Sequence, residues 1–175
     1  MPSRMAETAA DMPQSYQIFN NDTQEPLNKT ARHRLTADLL PEIWVREWAF
    51  HGWCALADVG KYLRRGSVWE ALIQLNEARD QLWRLHAVAG GVPDPQFGLT
   101  SILDFSPETI MPGMAATVAD LDPARLVSAA RHLANLLSQA GQQLPVEHRA
   151  ALPDAMTRYV ISDLQQMTTI EEDSR

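Results

Sequence analysis

The stretch Glu42-Ile-Trp-Val-Arg-Glu-Trp-Ala-Phe-His-Gly-Trp-Cys-Ala-Leu-Ala-Asp-Val-Gly-Lys-Tyr-Leu63, continued through Arg64-Arg65-Gly66-Ser67 into Val68-Trp-Glu-Ala-Leu, decides the fold. All five tryptophans of the chain, Trp44, Trp48, Trp53, Trp69 and Trp83, fall between Pro41 and Ala89. The first half is apolar around most of its circumference, which is the signature of a central helix with little face left for water. At the break, Gly66 is suited to a left-handed C-cap, and Arg64 and Arg65 meet the negative end of the outgoing dipole. Ser67 with Glu70 three residues later reads as a capping box that starts a second helix. The expectation is a hairpin of two long helices, about 42–65 and 68–89, whose indole rings form the interior.

Outward from that hairpin, Leu72, Leu75, Leu82, Leu85 and Ala89 recur at helical spacing, with Val68, Ile73 and Trp83 widening the stripe. Gly90-Gly91 stops the helix. The prolines of Val92-Pro-Asp-Pro-Gln-Phe-Gly98 favour an extended linker, and Leu99 to Phe105 has room for one or two helical turns. A loop from Thr109 enters a short helix near Ala115. Asp122-Pro123 is a helix start, with aspartate as cap and proline at the first position. That helix carries Leu126, Val127, Ala130, Leu133, Ala134 and Leu137 on one face and is expected to stop at Gly141. A last helix, about Glu147 to Met167, must start or bend at Pro153.

Residues 1–28 read as a disordered or extended segment with one short strand at Tyr16 to Asn20, residues 29–167 as the helical domain, and 168–175 as an acidic tail. Leu27 to Leu40 suits a short helix ended by Pro41. The fold class is all-α, an up-and-down bundle of four main helices plus short ones.

Composition limits the functions available. A chain of 175 residues suits one domain with a substantial core. A formal charge of -7 and a pI near 5.1 argue against general affinity for nucleic acid. The N-terminus has no apolar signal core and no run is long enough to span a membrane, so the setting expected is cytoplasmic. Cys54, the single cysteine, has no partner for an intrachain disulfide and reads as a buried thiol. The five histidines show no ligand spacing to one another or to the cysteine, so no metal is expected.

Asn76, Arg79, Trp83 and His86, three or four residues apart, share one edge of the second helix. They suit either the lining of a cleft or a boundary where long polar side chains lie on the core. Glu77 and Asp80 lie one turn apart, as do Asp58 and Tyr62. Such carboxylates can act as a general base, but paired helical charges are more often a solvated face. Asp120-Leu-Asp122 resembles a metal-binding pair, yet the cap before Pro123 explains its second aspartate. The Arg79 and His86 pair resembles the arginine–histidine motif of HEPN ribonucleases, where guanidinium would meet phosphate charge and imidazole would move a proton. That is one alternative function.

Lys61-Tyr-Leu-Arg-Arg-Gly-Ser-Val-Trp-Glu-Ala-Leu72, Leu75-Asn-Glu-Ala-Arg-Asp-Gln-Leu-Trp-Arg-Leu85 and Phe97-Gly-Leu-Thr-Ser-Ile-Leu-Asp104 together resemble the C-terminal helical part of bacterial nucleotidyltransferase-like proteins of the aminoglycoside nucleotidyltransferase type. The resemblance covers about residues 16–140. It implies a substrate-binding or regulatory helical domain in which Lys61, Arg64 and Arg65 meet phosphate and Glu77, Arg79, Asp80 or His86 lie toward the substrate. The Gly-Ser and Asp-x-Asp block of that family, which holds magnesium and nucleoside triphosphate, is absent from the sequence. The domain is therefore expected to be inactive alone, with cofactors only if a catalytic domain is supplied elsewhere. A further alternative is an interaction bundle, in which the apolar first helix pairs with another copy or another protein.

Overall fold

The computed structural model describes residues 40–149 and 152–172, with side chains described as far as Met167. The short strand and the helix expected before Leu40 lie outside the described residues. Helix α1 spans Glu42–Arg64, α2 Val68–Ala89, α3 Leu99–Phe105, α4 Pro123–Gln143, α5 Val146–Arg149 and α6 Asp154–Glu172. Three 3-10 turns, Pro95–Phe97, Pro107–Thr109 and Met114–Thr117, punctuate the connection from α2 to α4. The described part is all-α, as its periodicity indicates.

Glycine closes the C-terminus of each helix of the hairpin. Gly66 sits at φ 74°, and the amides of Gly66 and Ser67 donate to the carbonyls of Leu63 and Tyr62. Gly91 at φ 64° repeats the pattern, with Gly91 and Val92 donating to Val88 and Ala87. Both are Schellman caps, which need a left-handed residue and satisfy carbonyls the helix leaves open. A Cβ at Gly66 meets nothing within 4 Å. Gly66→Ala is therefore expected to cost only the left-handed strain, about 1 kcal/mol, read as a lower urea midpoint with an unchanged slope. The capping box expected at Ser67 is not formed, because Ser67 makes no side-chain cap bond. Asp122 does cap α4, its carboxylate accepting from the Arg125 amide at 2.9 Å.

Helices α1, α2 and α4 pack mutually, and α6 lies against α1 and α4. Their common core is mostly aliphatic: Val45, Leu56, Val59, Leu75, Leu82, Leu85, Leu126, Leu133 and Leu137 are buried, each such side chain contributing roughly 2 kcal/mol on transfer from water. Gly52 marks the crossing of three helices, since a Cβ there would lie 3.1 Å from Leu137 and 3.3 Å from Gln81. Gly141, expected to end α4, is instead buried within it, where a Cβ would meet Leu152 at 3.3 Å. Its role is close approach, and the helix runs on to Gln143. Pro153 precedes α6, so the last segment breaks at the proline into α5 and α6.

The tryptophans divide. Trp53 and Trp83 are in the core, Trp48 is half-buried against it, and Trp44 and Trp69 are 38% and 64% exposed. Ile73, assigned by periodicity to the buried stripe, is 60% exposed. Seen from α4, the core face of α2 follows Ala71, Leu75, Ala78, Leu82 and Leu85, and Trp69 and Ile73 lie one turn apart on the opposite face.

Helix direction explains the long connection. Pro153 stands beside Arg46 and Phe50, near the start of α1, and Leu152 packs on Gly141, near the end of α4. Helix α4 therefore ends where α1 begins, which is also where α2 ends. Helices α2 and α4 run the same way, so the chain from Gly90 to Asp122 must travel back along α2 before α4 can start. Up-and-down alternation holds within α1–α2 and α4–α6, and a crossover joins the two pairs.

Candidate functional site

The returning connection lies on the α2 edge marked by Asn76, Arg79, Trp83 and His86, and that edge holds it. His86 Nε2 is 2.6 Å from the Thr109 carbonyl oxygen. Two turns earlier on α2, Arg79 donates from Nε to the Thr117 hydroxyl at 3.0 Å and from Nη2 to the Thr117 carbonyl, while its Nη1 meets Asn76 Oδ1 at 2.7 Å. Thr117 is fully buried and its hydroxyl also donates to the Met114 carbonyl at 2.7 Å. Nearer the end of α2, Arg84 donates to the Gln96 carbonyl at 3.3 Å and to Gln81 Oε1 at 2.9 Å. These side chains meet backbone carbonyls that have no helical partner, which is how an irregular segment is laid against a core without leaving polar groups dry. The cleft and boundary readings of this edge are thereby given a geometry: it is a seam, with the connection seated on it.

Burial lowers the pKa of Arg79, and the nearby Asp80 charge acts the other way. The guanidinium stays charged, and its desolvation is offset by three acceptors. Asp80 itself is exposed, and Glu77 is tied to Gln81, Nε2 to Oε1, at 2.5 Å. Trp83 packs between, its ring centroid 6.5 Å from that of His86.

Lys61, Arg64 and Arg65 lie at the other end of the hairpin. Lys61 pairs with Asp58 at 2.5 Å and lies over the Tyr62 ring at 4.5 Å, and its pKa is raised chiefly by that bond to Asp58. Arg64 grips both carboxylate oxygens of Asp163 on α6, at 3.1 and 3.0 Å. Arg65 is exposed. The eighteen steps along α2 from Val68 to His86 rise about 27 Å, so the phosphate candidates and His86 cannot meet one nucleotide-sized ligand together. The structure brings Arg79 and His86 to one edge, Glu77 and Asp80 to the middle of α2, and Lys61, Arg64 and Arg65 to its beginning.

Cys54 is half-buried rather than buried and faces Met156, sulfur to sulfur at 4.0 Å. Burial first, and the Asp58 charge second, push its thiol above the ordinary value, which keeps it protonated and a poor nucleophile. Asp120 accepts from Arg125 at 2.8 Å and turns the segment toward the Asp122 cap. Among the described residues no cluster of three or more histidines, cysteines or carboxylates could hold a metal, and no helix is long and apolar enough to cross a membrane.

What periodicity alone did not reveal is a second kind of feature, apolar side chains left at the surface. Near the start of α1, Ile43 and Phe50 are each 48% exposed, and Trp44 leans on Trp48 with centroids 6.2 Å apart. A shallow groove of about 240 Å³, lined by Arg46, Glu47, Phe50 and Pro153, opens beside them. No family model matches the chain, and no curated protein or solved structure matches it.

Proposed function

We propose that the bundle is an interaction module that pairs with a second copy of itself through the first half of α1. The observation that supports this is the cluster of Ile43, Trp44 and Phe50 at the surface, since large exposed apolar side chains gathered on one element mark contact surfaces. Positions 43, 47 and 50 share a helix face, and Trp44 adjoins it. The face carries both signs of charge, Arg46 beside Glu42 and Glu47. A two-fold interface sets one patch against itself, so a patch with both signs can complement its own copy. Roughly 300 Å² of apolar surface per copy follows if each of these side chains offers about half its area, well short of the ~800 Å² per partner of tight complexes. The dimer is therefore weak and concentration-dependent.

Sedimentation equilibrium of the chain should show reversible association, and Trp44→Glu with Phe50→Glu should weaken it about tenfold or more, with the helical circular dichroism unchanged. A monomer at every concentration, or a dimer indifferent to both substitutions, overturns the proposal.

Binding of a nucleoside triphosphate is the second reading, supported by Arg65, a solvent-exposed cation beside Lys61 and Arg64 at the end of α1. Titration with a nucleoside triphosphate and magnesium, repeated on Arg65→Ala, tests it; affinity unaffected by the substitution rules it out.

A further inference from the structure

A second apolar surface has a different charge pattern, and it calls for a different partner. On α3, Ser101 and Ile102 are buried toward α2, while Leu99 and Leu103, one turn apart, are 36% and 50% exposed. Phe97, in the 3-10 turn that packs on α3, is 64% exposed, the same as the most exposed tryptophan. Between Leu85 and Ala124 the sequence holds no lysine or arginine, but it holds Asp94, Asp104, Glu108, Asp120 and Asp122. Asp120 is bonded to Arg125 and Asp122 is the α4 cap. Asp104, the residue after Leu103 and about 100° round α3 from it, and Glu108, in the turn after α3, are exposed and have no ion-pair partner among the described residues. Arg79 and Arg84 reach this connection from α2, but their donors are directed to Thr117, Asn76, Gln96 and Gln81.

The geometry points to a docking face for a basic amphipathic helix of another protein, seated across Phe97, Leu99 and Leu103 with its cations toward Asp104 and Glu108. The exposed charges beside this apolar strip, Asp104 and Glu108, are carboxylates, while Arg84 is half-buried and held by Gln81 and the Gln96 carbonyl, so the strip is net acidic and disfavours its own copy, anionic membrane surfaces and nucleic acid backbones, unlike the mixed-charge face of α1. A partner helix supplies what this face lacks: leucine-sized side chains at i, i+4 and i+7 for the strip, with lysine or arginine beside them. This inference stands independently of pairing through α1.

The test uses fluorescence anisotropy with a labelled synthetic helix of leucines on one face and lysines flanking them, added to the full chain. Two control peptides keep the apolar face with glutamates for lysines, or keep the lysines in an order that destroys the apolar face. Saturable binding is expected for the first peptide only, weakened at high salt. Asp104→Lys with Glu108→Lys should reduce affinity about tenfold or more, and Leu103→Ser alone should reduce it about fivefold, none of these surface changes altering the urea midpoint. Trp44→Glu should leave peptide binding unchanged, which separates this face from the α1 contact. Equal binding of the lysine and glutamate peptides, binding insensitive to the variants at Leu103, Asp104 and Glu108, or no binding of the lysine peptide overturns the proposal.

Discussion

Gly52→Leu is expected to destabilise the bundle by about 3 kcal/mol, the upper end of the usual cost of overpacking, despite the better helix propensity of leucine. The first added carbon already meets Leu137 at 3.1 Å and the Gln81 Cβ at 3.3 Å, and three more carbons follow it. Leu137 is itself buried in α4, so relief requires α4 to move away from the hairpin. Urea unfolding followed by tryptophan fluorescence checks this, with Ala155→Leu on the exposed start of α6 as the control for added bulk. A midpoint for Gly52→Leu equal to that of the control would mean that the three helices do not cross at this residue.

Arg79→Met keeps the apolar stem and removes the donors, and is expected to cost about 2 kcal/mol, because the buried Thr117 carbonyl loses a charged partner. The loss should be local before it is global. Amide exchange should rise across Met114–Thr117 and its flanks, while amides in the middle of α1 and α4 follow only the fall in global stability. His86→Ala should likewise loosen the chain around Thr109, with a smaller effect because that contact is exposed. Unchanged exchange at 114–118 in Arg79→Met would show that the seam is not held by this side chain.

Some helix ends were legible because single residues carry them. Gly66 and Gly91 supply the left-handed caps, and Asp122-Pro123 supplies a start, each by conformational preference that needs no tertiary partner. The buried stripe of α2 was legible only in part: Leu75, Leu82 and Leu85 follow the period, but Ile73 obeys the same hydrophobicity and faces water. Hydrophobicity says that a side chain is welcome in a core, not that the core reaches it. Gly141 shows the converse, since glycine as a stop and glycine as a site of close approach look alike until Leu152 is placed against it. The shared edge of Asn76, Arg79, Trp83 and His86 could be read from spacing. What sits on it could not, because Thr109 and Thr117 lie 23 and 38 residues beyond their partners and helix direction decides whether they return. The exposed apolar face of α3 was hidden, and that of α1 was raised only as one alternative use of an apolar helix, as an apolar residue carries no local mark of which way it points.

Their charges distinguish the two faces. The α1 face has exposed charges of both signs and can match itself, whereas the exposed charges of the α3 face, Asp104 and Glu108, are carboxylates and do not. Pairing through α1 leads to a direct measurement: intermolecular paramagnetic broadening in a mixture of isotope-labelled chain with chain carrying a nitroxide on Ala155→Cys in a Cys54→Ser background. The expected result is selective loss of amide signals around Ile43, Trp44, Glu47 and Phe50 of the isotope-labelled copy, with Leu99 to Asp104 unaffected. Broadening confined to α3, or none at any concentration, would contradict self-pairing through α1.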